Sequence, residues 1–324
     1  MNTATLGIDI AKRSFDVCLL VGGQVIAKHF DNSPDGFAKL TRLLQKHAAE
    51  QVHACMEATS SYGTALARYL HEHGHRVSIV NPARIAAYAA SMMSRTKTDK
   101  VDARIIAQFC LHQQPDAWMP PPPEVAELQA LVRHIEALIV DRQQHANRLE
   151  GAEVPEPIRQ SITVIIKVFD EQIKRLKKQI NEHIDQYPQL RAHKDLLKSI
   201  PGIGSLTAAK LLGEILEFTR YPDARKLIAY AGLSPVTRQS GTSLRTRGHI
   251  SKKGNARLRK ALYMPALVAL QRNPILQALK ERLVSRGKSG KQIVVAAMRK
   301  LLVLAFGVIK SGTPFKPNFV LDKA

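Results

Sequence analysis

The chain has 324 residues, 48 of them Lys or Arg and 27 Asp or Glu, for a formal charge of +21, and 45% of its residues are hydrophobic. That apolar share excludes a disordered chain, and the length admits two or three domains with cores of their own. The charge is uneven. Residues 235–324 hold 19 Lys and Arg against two acids, Glu281 and Asp322, whereas residues 1–234 hold 29 bases and 25 acids. A polycation of this density fits a phosphate backbone better than it fits a solvated surface or acidic lipid.

The three cysteines, Cys18, Cys55 and Cys110, lie in apolar runs without CxxC spacing and read as buried thiols of a reducing cytosol. No basic-then-apolar signal opens the chain. The most apolar stretch, 293–309, is interrupted by Arg299 and Lys300 and reads as too short and too charged for a bilayer span, hence as a core helix. The expected location is the cytoplasm, on the nucleoid when active, with no membrane partner.

Residues 6–20 read LGIDIAKRSFDVCLL, two apolar runs around a polar turn, which predicts a hairpin of buried strands. A third strand at 24–30 follows the turn pair Gly22-Gly23. A helix starting at 32–35, a strand at 52–56 ending in Glu57, a helix at 62–73 closed by Gly74 and a strand at 76–80 follow. Helices at 83–93 and 99–111 complete this part. A three-strand meander followed by alternating helices and strands is the order of an RNase H-like α/β domain, and other α/β folds such as the actin-like kinases share it.

The prolines at 120–123 mark a boundary, and helical patterns at 124–150 and 158–184 predict an antiparallel coiled-coil hairpin, with dimerisation as its leading use. Residues 196–212, LLKSIPGIGSLTAAKLL, read as a helix-hairpin-helix, in which Gly202 and Gly204 allow close backbone approach to a nucleic-acid phosphate. The alternative is a structural turn between packed helices. A short helix at 224–231 precedes residues 233–254, which are polar, Gly-rich and basic without apolar period and read as a loop that binds or reacts. Helices at 255–271, 274–286 and 291–310 close a mostly α domain. The expected domains are 1–118, 119–190 and 191–324.

Four acids carry the chemistry. Asp9 lies inside a core strand, where a charge needs compensation. Glu57 ends a neighbouring strand, and Asp99 and Asp102 lie three residues apart on one side of a helix. Gathered at one sheet edge, they need cations, and hard carboxylate oxygens select Mg²⁺ or Mn²⁺. Two such ions about 4 Å apart clamp the attacking and leaving oxygens of a phosphodiester. Taken singly, each acid has a plainer reading. Asp9 can pair with Lys12 or Arg13, Asp99 can cap its helix, Asp102 can pair with Arg95 or Lys97, and Glu57 can be an ordinary strand-end acid.

LGIDIAKRSFDV, MEATSSYG with Glu57, and RTKTDKVDARIIAQF with Asp99 and Asp102 resemble the RuvC-like DEDD domain of transposases of the insertion-sequence 110 family. SIPGIG, AYAGLSP, SGTSLR, ISKKGNARLRKALYMPA and SGTPF resemble that family's C-terminal domain. The resemblance implies a DNA recombinase guided by a structured bridge RNA that pairs with donor and target DNA. It also implies a catalytic serine, which by motif falls on Ser240, with Gln239 before it, Thr242 where a serine can occur, and Ser243 and Ser251 as competitors. As the family is described, its site is composite across the subunits of a tetramer and the serine becomes joined to DNA. The oligomer expected here is a dimer or tetramer.

The residues alone say less about Ser240. A hydroxyl is a poor nucleophile without activation, and His249 is the one imidazole of the loop. Activation then has to come from the metal held by the acids. Arg238, Arg245, Arg247, Lys252 and Lys253 are the candidate phosphate contacts, with solvated charge as the alternative. Two competing functions stay open: a metal-dependent junction nuclease using water, and a non-catalytic nucleic-acid-binding protein.

Overall fold

The computed structural model describes residues 4–58, 61–92, 99–150, 153–236, 239–240, 244–245 and 249–317, with the backbone alone at 61, 99, 100, 239, 240, 244 and 245. The chain divides into two compact units, Met1–Pro120 and Pro121–Ala324.

In the first unit the strands are β1 (Ala4–Ile10), β2 (Ser14–Val21), β3 (Gln24–Asp31), β4 (Val52–Glu57) and β5 (Arg76–Val80). They form one sheet in the order β3-β2-β1-β4-β5. The meander β1-β2-β3 is antiparallel, and β4 and β5 run parallel to β1. This is the mixed sheet of an RNase H-like domain, as the element order predicts. Gly22 and Gly23 take φ +54° and +77° at the β2–β3 turn, which only glycine adopts cheaply.

Side-chain alternation assigns the two faces. Leu6, Ile8, Phe15, Val17, Leu19, Ala54 and Met56 share one face and form a core with Leu40 and Leu44 of α1 (Pro34–Lys46) and Leu66 and Leu70 of α2 (Thr64–Glu72). Each such buried Leu, Ile, Val, Phe or Met side chain contributes about 1.5–3 kcal/mol. The opposite face is covered by α3 (Pro82–Ser91) and α4 (Asp99–Gln113), through Cys55, Val80, Ile85, Ile106 and Phe109 and, on the β2 side, Cys18, Ala103 and Ala107. All three cysteines are buried and free, as the apolar runs around them predict.

The second unit opens with α5 (Pro123–Leu149) and α6 (Glu156–Gln186). The Arg142–Asp170 pair near one end and the His183 contact to the Glu124 carbonyl at the other show them antiparallel. Their lower halves belong to a core shared with α7 (Pro188–Lys198), α8 (Ser205–Ile215), α9 (Ala224–Tyr230), α10 (Ala256–Arg272), α11 (Pro274–Ser285) and α12 (Gly290–Ser311). The distal half of α6 instead exposes Ile158, Val164, Ile165 and Val168.

At 22 residues α12 is long and apolar enough to cross a membrane, against the sequence expectation of a stretch too short to do so. The expected core role holds, because Ala297, Leu301, Leu302 and Ala305 are fully buried at the centre of the helical unit. Arg299 is exposed and Lys300 half-buried, so the two charges leave that inner face intact.

Candidate active site

Asp9 is the penultimate residue of β1 and Glu57 the last of β4. The parallel register pairs Ile8 with Met56, so Asp9 and Glu57 follow side by side, about 4.8 Å apart at the backbone. Both belong to the face covered by α4. On the other side of Asp9 the antiparallel register places Asp16 directly opposite. Asp16 in turn stands opposite His29 of β3, whose Nδ1 lies 3.0 Å from Asp16 Oδ2. A row of His29, Asp16, Asp9 and Glu57 therefore crosses four strands at one level of the sheet.

The position of α4 is set by Gly7, two residues before Asp9 on the same face. A Cβ on Gly7 would come within 2.2 Å of the Ala103 carbonyl oxygen and 2.3 Å of the Ala107 nitrogen, so the helix backbone rests directly on β1. Further along α4, Cys110 Sγ donates to the His53 carbonyl at 3.6 Å, near the start of β4. The helix thus runs antiparallel to β1 and β4. One turn back from Ala103, about 5.4 Å, matches the two strand residues from Gly7 to Asp9, about 6.6 Å. The first turn of α4, which carries Asp99 and Asp102, accordingly comes to the level of Asp9 and Glu57. Asp102 is half-buried. The side chain of Asp99 lies outside the described residues, as do Arg95 and Lys97.

Among the described residues no group of three or more His, Cys, Asp or Glu closes around one ion-sized point. The donors brought to one level beside α4 are nevertheless carboxylates, on neighbouring strands. That chemistry fits a hard divalent cation, whose charge offsets repulsion between acids at this spacing. Asn32 Nδ2 donates to the carbonyls of Ala11, just after β1, and Tyr62, in the short helical turn five residues past Glu57, at 3.1 and 3.2 Å. One side chain thus links the turn after β1 to the segment that follows β4.

Asp16 and Asn32 were not singled out from the sequence. A signal for Asp16 was present, since a hairpin centred on Lys12-Arg13 sets residue 16 opposite residue 9.

In the second unit the stretch read as a loop is an arm with two short ladders. β6 (Pro235–Val236) pairs with β9 (His249–Ile250) as a stem, and β7 (Gln239–Ser240) pairs with β8 (Leu244–Arg245) further out. Ladders of two residues show no alternation, so the pattern 233–254 does not reveal them. Ser240 is the last residue of β7, its backbone opposite Leu244. Its side chain and that of Arg245 lie outside the described residues, as do Arg238 and Arg247 entirely.

The root of the arm is fixed by polar groups gathered around one buried acid that sequence reasoning missed. Glu214 on α8, 2% exposed, accepts from Arg133 Nε and Nη2 at 2.8 and 3.2 Å and from Asn255 Nδ2 at 2.9 Å. Asn255 also caps α10 by accepting from the Leu258 N–H, and its own N–H donates to the Tyr230 carbonyl at 2.7 Å. Burial pushes the Tyr230 hydroxyl up from its ordinary pKa, so it stays a proton donor, to the Glu214 carbonyl. Arg259 Nη1 donates to the carbonyls of Ala231 and Gly254 on the two sides of the arm. The signal for Glu214 was an acid inside the apolar helix LLGEIL.

Of the remaining candidates, Lys252 and Lys253 are exposed just past the stem. Gly202 takes φ +107°, and a Cβ there would meet Ala269 Cβ at 2.6 Å, so its bareness serves packing on α10. Gly204 precedes α8 and opens to free space.

Two family models match in chain order: one described as transposase, of the DEDD IS110 type, over residues 6–152, and one described as transposase of the IS116/IS110/IS902 family over residues 194–281. Among curated relatives, the pilin gene-inverting proteins of Moraxella bovis and Moraxella lacunata are each 36% identical over 97% of this chain and 98% of their own. The chain belongs to the IS110 family of transposases. A transposase of the IS1328 insertion sequence from Yersinia enterocolitica is 26% identical over 84% of the chain and 85% of its own length. This IS110-family chain is thus an enzyme of phosphoryl transfer on DNA. The first matched segment contains the acidic row and α4, and the second contains the serine arm.

Proposed function

We propose that this IS110-family transposase cuts and rejoins DNA with Ser240 as nucleophile and with Asp9, Glu57, Asp99 and Asp102 as ligands of Mg²⁺ or Mn²⁺. The observation that carries the reading is the placement of Asp9 and Glu57 side by side at the ends of parallel neighbouring strands, level with the first turn of α4. A bound divalent ion would offset negative charge on the phosphate and on the departing oxygen. Ser240 Oγ bonds to phosphorus as a DNA P–O bond breaks, and the phosphoserine keeps the ester energy for rejoining. The exposed Lys252 and Lys253, with Arg238, Arg245 and Arg247, bind phosphates around the arm.

The guide is a bridge RNA pairing with donor and target DNA, which suits the cationic second unit. A second copy of the chain completes the assembly, supported by the exposed apolar stripe Ile158, Val164, Ile165 and Val168 on α6. The named activity of the relatives that match end to end supports DNA inversion as one outcome.

Manganese titration by calorimetry on the intact protein tests the acid site. Wild type binds the ion, and Asp9→Asn or Glu57→Gln weakens binding at least tenfold with an unchanged melting temperature. Equal affinity in both variants overturns the assignment.

A further inference from the structure

Two cavities meet in the helical unit beside the serine arm. The larger, about 920 Å³, lies between the β6/β9 stem, α11 and the first half of α12. Its floor is apolar and half-buried, with Leu279, Leu283, Val295 and Val303. Its rim carries Lys252, Lys288, Lys291, Arg299 and Lys300 and no acid. The smaller, about 630 Å³, shares Ile250 and Val295 with the first and continues along α10, where Tyr263 and Met264 are exposed. Its one acid, Glu136, is already held by Lys210 at 2.9 Å.

The furrow is thus apolar below, cationic above and short of anions. Among the described residues Lys288, Lys291, Arg299 and Lys300 form no ion pair with a carboxylate. Lys300 is half-buried in this state, and burial together with the nearby Arg282 lowers the pKa of its ammonium group. A cation drawn part-way out of water beside other cations calls for an anion.

Phosphates supply such anions, but a duplex has no use for an apolar floor. Its bases stay stacked inside, and cavities of about 300–1,000 Å³ admit small organic groups rather than a double helix. Unstacked bases do use such a floor, and they also stack on an exposed aromatic ring such as Tyr263. We propose that this furrow binds an unpaired DNA strand, with bases against Val295, Leu279 and Tyr263 and phosphates on Lys291, Arg299 and Lys300. The commitment to DNA rests on the proposed function, because Pro235, His249 and Ile250 of the arm that bears Ser240 form the furrow's wall. The floor side chains Leu279, Leu283, Val295 and Val303 are apolar and suit the thymine methyl group.

The test is fluorescence anisotropy on the full chain with EDTA present, so that strand binding is read apart from any covalent step. The probes are a labelled oligo-dT, the same length of oligo-rU and a mixed-sequence duplex. The expected result is oligo-dT binding at least tenfold tighter than the duplex and severalfold tighter than oligo-rU. Lys291→Ala combined with Arg299→Ala should weaken it at least tenfold and flatten its salt dependence, and Tyr263→Ala should weaken it severalfold. All three positions are exposed or at the furrow edge, and unchanged circular dichroism confirms folding. Duplex or oligo-rU binding as tight as oligo-dT overturns the proposal, and so does unchanged binding in the variants. Adduct formation with Ser240, scored separately, decides the serine reading whatever the furrow does.

Discussion

The side-chain amide of Asn255 donates to the Glu214 carboxylate at 2.9 Å, joining the start of α10 to the end of α8 under the root of the serine arm. Glu214 is nearly fully buried, and its charge is met by the Arg133 fork and by Asn255. Removing its counter-charge costs more than the pair contributes, because Glu214 then stays buried without a cation. Arg133→Ala is expected to lower stability by about 3 kcal/mol. Asn255→Ala, which also removes the α10 cap, should cost about 1–2 kcal/mol. Urea denaturation measures both, and a loss below half these figures contradicts the role.

Gly7→Ala should displace α4. The new methyl would overlap the backbone at Ala103 and Ala107, which no rotamer relieves. The expected cost is about 3 kcal/mol, with loss of manganese binding because Asp102 moves away from Asp9 and Glu57. Calorimetry alongside denaturation checks both effects. Unchanged metal affinity would separate α4 from the site.

Much of this arrangement is legible in the residues. Continuous apolar runs with Gly22-Gly23 define the meander, and Ser33, Asn81, Asp223, Asn255, Asn273 and Ser289 mark the helix starts they occupy. Pairing across strands is less visible, so Asp16 reads as one more strand residue until the register sets it opposite Asp9. The ladders of the serine arm are too short to show a period. Glu214 and Asn255 are distant in sequence, and neither signals the other until the helices pack.

Asp16→Asn keeps the shape of its side chain but removes a negative charge beside Asp9. The expected effect is a severalfold loss of manganese affinity, smaller than that of Asp9→Asn, because Asp16 faces His29 on its other side. Calorimetry ranks the two variants. A loss in Asp16→Asn as large as that in Asp9→Asn would make Asp16 a direct ligand.

Stability should fall in mild acid through His75. The residue is 8% exposed, and its Nδ1 has no partner among the described residues. Burial, with a smaller push from His73, holds its imidazole below the ordinary 6.5. Burial lowers His193 in the same direction. The unfolded chain therefore takes up protons that the folded chain does not as pH drops below about 6.5, so stability is lost toward acid and is level above that value. Thermal melts between about pH 8 and about pH 5 should show this decline, and His75→Gln should flatten it. An equal slope in the variant would assign the decline elsewhere.

The most direct measurement is covalent capture. The protein is incubated with the proposed bridge RNA, DNA substrate and Mg²⁺, denatured, and examined for DNA that migrates with the polypeptide. The expected result is a phosphoserine adduct mapped by mass spectrometry to Ser240, absent in Ser240→Ala and in Asp9→Asn and absent with EDTA. An adduct of normal yield in Ser240→Ala, or cleavage and rejoining by wild type with no adduct at any time point, would contradict the account.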